Sequence, residues 1–538
     1  MFLKSCARFK HQHIHIHTKF AVNRSRKAGD TIIMTWTTVT LLVLCGVAVT
    51  SGAKPNIIFA MLDDAGWYDF QSHDPLMATP RIDQLRQEGL FLDNSYVLPM
   101  CAPTRAALLT GRYPHTMGAQ DGNAAGTKKL FWPNETFSML PGELKGLGYK
   151  THMLGKWHLG FCHPSVTPLG RGFDTFHGML LGSHLSYYTH TKGNANGPYD
   201  WWNNTQPDLD AKDTYNTELI NDAMVDIVQQ SQADQPFFVY MAFAAPHGPF
   251  EVPQHYVDTY CSHVTEPARR IHCAMMAAVD EGIGRMIDAL KAKGIYDNTA
   301  IVVTSDNGGP VGSSNPSGSY NYPLRGGKKT VYEGGTRAYT VVKAPGLTVT
   351  NATWSGMINA VDWMPTLLHM AGGNAKDWMH GINAWNKIKK FGVSARKEML
   401  YTYDDYFKFN HCAYRMGRWK LIQGRPGFHQ GWYVPQNLVD AGVAENTPLA
   451  GNQDFTHFEL YNLHKDPEER KDLAAKKLEI VQEIVGKIEA LLDLYPLQPF
   501  VESEQSDSWT TSVDGVKVLS TCWCHPENSA DTPDCTAA

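Results

Sequence analysis

Four short apolar runs, set between stretches of helical spacing, limit this chain to a small set of folds. The runs are Ile57 to Leu62, Thr151 to Leu154, Phe237 to Phe243 and Ala300 to Thr304. Three are almost continuously apolar, as strands buried on both faces must be, and Thr151 to Leu154 is a shorter candidate. Asn216 to Gln230 and Ala274 to Lys291 have the spacing and length of helices. This alternation predicts an α/β domain built on a largely parallel sheet.

The ends of these runs carry chemistry. In parallel α/β sheets, ligands sit beyond the carboxyl ends of the strands. The first run leads into Asp63-Asp64, the second into Lys156 and His158, the third into His247 and the fourth into Asp306-Asn307. One such pair alone reads as a turn, because Asp and Asn often open turns. Four on one edge read as a site.

The pattern changes after about Ser394. Strand-like pieces at Trp419 to Ile422 and Phe458 to Leu463 precede an amphipathic helix from Ala475 to Leu492. The expected division is residues 54–394 as the larger domain and 395–538 as a smaller C-terminal α+β domain with a cysteine-containing tail. A chain of 538 residues suits one large and one smaller core. The loop from Gly424 to Phe455, rich in Gly, Pro and Asn, is long enough to reach over a site.

Residues 1–53 read as an N-terminal extension followed by a signal peptide at about 34–53. Val39 to Val49 is an apolar run of signal length, too short to span a bilayer, and Ser51-Gly52-Ala53 is a small-residue cleavage site. Met34 is a natural start, and the histidine tract from His11 to His17 belongs to the stretch before it. The expected address is the secretory pathway, ending in the lysosome or outside the cell. Sequons at Asn134, Asn203 and Asn351 fit that address. No later stretch is apolar and long enough for stable membrane insertion, and a net charge of -5 gives a nucleic-acid partner no support. Eight of the ten cysteines follow the signal. Cys261 and Cys273 suit a local loop closure, while Cys522, Cys524 and Cys535 cluster near the end. Setting Cys101 aside for chemistry leaves an odd number, so one thiol is expected to be unpaired.

The strongest motif is C-A-P-T-R-A-A-L-L-T-G-R, from Cys101 to Arg112. Pro103 suits a first helical turn and Gly111 can end the helix. Cys101 then stands at a helix N-terminus, where free N–H groups and the dipole favour an anion. Arg105 adds positive charge one turn on. This setting predicts a lowered thiol pKa and a cysteine nucleophile.

With Thr104 in place of the usual serine, this stretch resembles the signature of the sulfatase family, C-x-P-S-R followed by T-G-R. The resemblance runs from about Lys54 to Leu492. It includes N-I-I-F-A-M-L-D-D, G-Y-K-T-H-M-L-G-K-W-H-L-G, R-G-F-D, A-P-H at Ala245 to His247, S-D-N-G-G at Ser305 to Gly309 and P-L-R-G-G-K-K-T-V-Y-E-G-G-T-R. It implies an alkaline phosphatase-like fold with a large mixed, mainly parallel sheet flanked by helices. It also implies that a formylglycine-generating enzyme converts Cys101 to formylglycine during secretion.

By the same resemblance, Asp63, Asp64, Asp306 and Asn307 match calcium ligands, with Cys101 beside the metal. All four are oxygen donors, as a hard cation requires. Cys101 matches the nucleophile, whose hydrate attacks sulfur through one hydroxyl and lets sulfate go through the other. Arg105, Lys156 and Lys328 match residues that hold the sulfate oxygens. Lys328 is preferred over Lys329 because it lies five residues before Glu333 in K-x-x-x-x-E-G-G. His247 matches the acid that protonates the leaving oxygen, and His158 the residue that helps release sulfate. His184 is a further candidate for substrate contact.

Within the family, the motif stretches most resemble the arylsulfatase B branch, although no cysteines follow Arg112 directly. That implies a sulfated carbohydrate or aryl sulfate substrate, such as N-acetylgalactosamine 4-sulfate of dermatan or chondroitin sulfate. Two other classes compete. Phosphodiesterases and phosphonate hydrolases share the fold, but a phosphatase-type site usually binds two metals, and no second His/Asp set stands out. A non-catalytic glycan-binding relative would have lost the nucleophile or the metal ligands, and here neither is lost.

Overall fold

The computed structural model describes residues 54–120, 138–182, 185–193, 196–312, 315–404, 411–449, 456–498 and 510–521. The signal segment, the histidine tract, Asn134, His184, Cys522, Cys524 and Cys535 lie outside them.

Ten strands form the main sheet. They are β1 (Asn56–Leu62), β2 (Leu90–Tyr96), β3 (Lys150–Lys156), β4 (Thr175–Met179), β5 (Trp202–Asn203), β6 (Gln206–Pro207), β7 (Phe237–Ala242), β8 (Thr299–Ser305), β9 (Thr340–Lys343) and β10 (Ala352–Asn359). Their order is β10-β2-β9-β8-β1-β7-β3-β4-β5-β6. The four apolar runs are β1, β3, β7 and β8. Together with β4 they form the parallel centre of the sheet. All residues of β1, β7 and β8 are buried, which is why these runs lack the polar alternation of a half-exposed strand. The helix read at Asn216 to Gln230 has those bounds, and the second starts earlier and runs over Pro267–Ala292. The two pack against each other.

The sequence pattern did not reveal β9. This four-residue strand lies antiparallel between β8 and β2, so the sheet is mixed. A run of that length carries too little periodicity to be recognised locally.

Four more strands form a second, antiparallel sheet in chain order: β11 (Glu398–Asp404), β12 (His411–Met416), β13 (Trp419–Gly424) and β14 (Phe458–Asn462). Helix Leu478–Leu494 buries Val481, Ile484 and Ile488. These side chains share one core with Leu400, Leu421 and Leu460, and with Leu98, Ala107 and Tyr113 from the larger part. The C-terminal sheet is thus fastened behind the segment that carries Cys101.

Cys261 and Cys273 form a disulfide, and Cys162 is also disulfide-bonded. Cys412 is free and buried in the C-terminal core. Burial alone pushes its thiol far up, so it behaves as a small apolar side chain. Among the described residues, no helix is long and apolar enough to cross a membrane.

Candidate active site

The helix read at Cys101 is α2 (Cys101–Thr110), and Cys101 is its first residue. Gly111 ends it at φ 65, with its N–H bonded to the Ala107 carbonyl at 2.9 Å. A left-handed end of this kind favours glycine. The helix N-terminus faces the carboxyl edge of the parallel strands.

Four strand ends meet there. Past β1, Asp63 and Asp64 are 1% and 4% exposed. Asp64 is left-handed at φ 70, a turn that lets two consecutive carboxylates serve one site. Past β8, the Asp306 N–H donates to the Leu62 carbonyl at 3.0 Å. Lys156 ends β3, and His158 follows two residues later at φ 56. Past β7, the chain reaches His247, whose Nε2 lies 3.6 Å from Asp64 Oδ2. Possible ligand atoms of Asp63, Cys101 and Asp306 lie within 4.8 Å of one another, as do those of Asp63, Asp64 and His247.

Three cations are paired with the three carboxylates. Lys156 Nζ donates to Asp63 Oδ2. Lys328 Nζ lies 2.6 Å from Asp64 Oδ1 and 2.8 Å from Oδ2. Arg105 bonds Asp306 Oδ2 through Nε at 3.1 Å and Nη2 at 2.7 Å, both side chains being 0% exposed. Arg105 Nη1 also donates to the Lys156 carbonyl at 3.1 Å. Arg105 therefore braces Asp306 and the end of β3. Of the two neighbouring lysines, Lys328 enters the cluster, whereas Lys329 is exposed.

This balance has a consequence. Three negative and three positive side chains cancel, so a bound divalent cation would leave the cluster with a net positive charge that attracts an anion. The donors fit such a cation. Asp63 Oδ1 and Asn307 Oδ1 are buried and have no hydrogen-bond partner. Buried oxygens left unpaired are costly unless something binds them. With Asp64 and Asp306 they form an oxygen set suited to a hard cation.

Burial, then Asp306, pushes the Asp63 carboxyl up to about 7, a direction that a bound cation would reverse. Burial would also raise Asp64, but Lys328 and then His247 hold it well below the usual carboxylate range. Burial, then Lys328, lowers the His247 imidazole to about 3. Burial, then Lys156, Arg105 and Lys328, holds His158 well below its ordinary value. One expectation is corrected here. The Cys101 thiol is raised rather than lowered, because burial outweighs Lys156 and Lys328, and Asp63 and Asp306 oppose a thiolate. A helix N-terminus lowers a thiol pKa only while the carboxylates beside it do not cancel its field.

The C-terminal loop does reach this region. The Val331 N–H donates to the Pro426 carbonyl at 2.9 Å and the Gly326 N–H to the Gly431 carbonyl at 2.8 Å. The segment carrying Lys328 is therefore held from the second sheet. Arg325 adds a bond from Nε to the Gln430 carbonyl at 2.7 Å and lies 3.8 Å from the Tyr332 ring centre.

Sequence reasoning missed Asp69. Its carboxylate accepts from the Gly66 N–H at 2.7 Å, the Tyr320 N–H at 3.0 Å and Ser319 Oγ at 2.5 Å, and it pairs with Arg269. It thereby ties the turn after β1 to the loop after β8. Burial would raise its carboxyl, but His272 and then Arg269 hold it well below the usual range. A depressed carboxyl gives stability that is present above its unfolded pKa and is lost as pH falls through the folded value. Asp69→Ala is expected to cost about 3 kcal/mol at pH 6, since buried Arg269 loses one of its two counter-charges and keeps Asp74 with the Gly318 and Tyr68 carbonyls. Urea unfolding should show that deficit shrinking below about pH 4. An equal deficit at both pH values would sink this account.

Known proteins resemble this chain in sequence and in fold. The family model described as Sulfatase matches residues 55–373, and that described as N-sulphoglucosamine sulphohydrolase, C-terminal, matches residues 326–428. Arylsulfatase J of Mus musculus is 34% identical over 468 residues, covering 82% of this chain and 76% of the relative. N-acetylgalactosamine-6-sulfatase of Homo sapiens is 28% identical over 506 residues, covering 89% and 94%. Among solved structures, Ps i-CgsB in complex with k-i-k-neocarrahexaose superposes with a TM-score of 0.67 at 27% identity, covering 81% of this chain and 92% of that one. PsFucS1 sulfatase from Pseudoalteromonas sp. has a TM-score of 0.67 at 25% identity, covering 84% and 93%. A family match over more than half the chain, on a fold whose strand ends gather this cluster, leads to one conclusion: the chain belongs to the sulfatase family.

Proposed function

We propose that this protein hydrolyses sulfate monoesters of sulfated sugars, using calcium and a formylglycine made from Cys101. The observation that carries the reading is the convergence of Asp63, Asp64, Asp306 and Asn307 on the end of α2 where Cys101 stands. These four residues would hold calcium, which supplies positive charge against the sulfate oxygens. The formylglycine hydrate supplies a hydroxyl nucleophile and, once the alcohol has left, a second hydroxyl that lets sulfate go.

The remaining work falls to this chain's own side chains. Lys156 and Lys328 hold sulfate oxygens and stabilise the charge that develops on them. Arg105 acts through Asp306, which it braces. His247 gives a proton to the leaving oxygen. Its Nδ1 is engaged by the Gly248 carbonyl at 2.6 Å, which leaves Nε2 toward the cluster. A bound anion raises the proton affinity that burial and Lys328 depress. His158 assists the departure of sulfate.

The first natural substrate to test is N-acetylgalactosamine 4-sulfate at the end of dermatan or chondroitin sulfate, with the 6-sulfate beside it. The similarity to an N-acetylgalactosamine-6-sulfatase supports the sugar. We further propose a secreted or lysosomal protein of two domains, 54–394 and 395–538, matured by a formylglycine-generating enzyme.

The test compares an aryl sulfate with the matching aryl phosphate, before and after chelation. Sulfate release should exceed phosphate release by roughly a thousandfold, vanish on chelation and return with calcium. Phosphate release at an equal rate would replace this reading with a phosphatase-type one.

A further inference from the structure

His158 has an unusual support. Its Nδ1 is buried and lacks a hydrogen-bond partner. In most functional histidines, a bond at one ring nitrogen fixes the direction of the other. Here the ring is held by packing. The His158 backbone is left-handed at φ 56, and its N–H donates to the Leu180 carbonyl at 3.1 Å. Gly182 lies directly against the imidazole: a Cβ on Gly182 would stand 2.1 Å from Cδ2 and 2.2 Å from Nε2.

The turn at Leu180 to Gly182 is itself held by Asp200. Asp200 is 0% exposed. Its Oδ1 accepts the Leu180 N–H at 2.9 Å and its Oδ2 accepts the Leu181 N–H at 2.8 Å. A third bond comes from Trp202 Nε1 to Oδ1 at 2.8 Å. Two consecutive amides on the two oxygens of one carboxylate fix both the place and the tilt of the turn. The turn then presents its next residue, Gly182, to the ring.

We infer that Asp200 is a positioning residue that sets the His158 imidazole through the Leu180 to Gly182 turn; the inference rests on the sulfatase reading above. His158 serves the second half of that reaction, when sulfate departs. Its displacement slows the step after the alcohol has left. The ratio kcat/KM reports events up to alcohol departure, whereas kcat also contains sulfate departure. A displaced His158 therefore lowers kcat and KM together.

The experiment measures both constants on an aryl sulfate, per folded molecule, for wild type, Asp200→Asn and Gly182→Ala. Asp200→Asn keeps the shape but turns one amide N–H donor against a backbone N–H. It should lower kcat and KM by roughly tenfold each, with kcat/KM within about twofold of wild type. Gly182→Ala presses a methyl group onto the ring and should give the same pattern, even if Asp200→Asn folds poorly. Equal falls in kcat and kcat/KM at constant KM would mean damage elsewhere and overturn the inference. So would wild-type values of both constants in Asp200→Asn and Gly182→Ala. A wild type without sulfate-ester turnover overturns the sulfatase reading itself, an outcome distinct from either of these.

Discussion

Cys101→Ala should abolish sulfate-ester hydrolysis, lowering kcat by at least roughly 10⁴-fold while the protein still folds and is secreted. The substitution removes one sulfur atom from the first residue of α2, where the side chain caps nothing. The helix needs no thiol, and alanine is the best helix former. Yet no other described side chain offers a nucleophile with the same neighbours. Carboxylates are the only other candidates, and each is engaged by a cation. Aryl sulfate turnover by wild type and variant from one eukaryotic secretory host decides the matter, with mass spectrometry of the Cys101 peptide beside it. Retained turnover above about 1% would show that the chemistry runs elsewhere.

Asp306→Ala should remove activity and also cost about 3–5 kcal/mol of stability, because it leaves the Arg105 guanidinium buried without its counter-charge. These losses can be separated. Replacing both partners with apolar groups, as in Arg105→Met with Asp306→Ala, removes the stranded charge, and such exchanges are often close to neutral. The double variant should recover most of the unfolding free energy and none of the activity, because the oxygen ligand is still missing. Urea unfolding and sulfate release on the same samples test both halves. An Asp306→Ala protein as stable as wild type would mean that Arg105 finds another partner. A double variant with activity would mean that Asp306 is not needed by the cation.

The strand ends could be read from the sequence because each pairs a buried apolar run with polar residues that have no reason to follow it except a turn or a site. Four such ends in α/β order restrict their placement to one edge of the sheet. What escaped was chemistry whose partner is the backbone. Asp69 and Asp200 accept N–H groups from Gly66, Tyr320, Leu180 and Leu181, and a backbone amide leaves no mark in a sequence. The sign of the Cys101 shift escaped for a related reason. The helix end is local and visible, whereas Asp63 and Asp306 reach the thiol only through the fold. The strand β9 escaped because four residues, Thr340–Lys343, are too few to show a period.

The burial of Cys101 also sets a clock. In the finished protein this side chain is 6% exposed at the floor of the site, beyond the reach of another enzyme's active centre. Any enzyme that rewrites it must act on a nascent or unfolded chain. The site is incomplete until β8 arrives, whose Asp306 meets Arg105 across 201 residues of sequence. At ordinary synthesis rates that stretch takes roughly 10–40 s to emerge. On the formylglycine reading proposed above, conversion would therefore have to precede the docking of that strand. Variants that slow the docking of β8 should carry more converted Cys101, and those that hasten it should carry less.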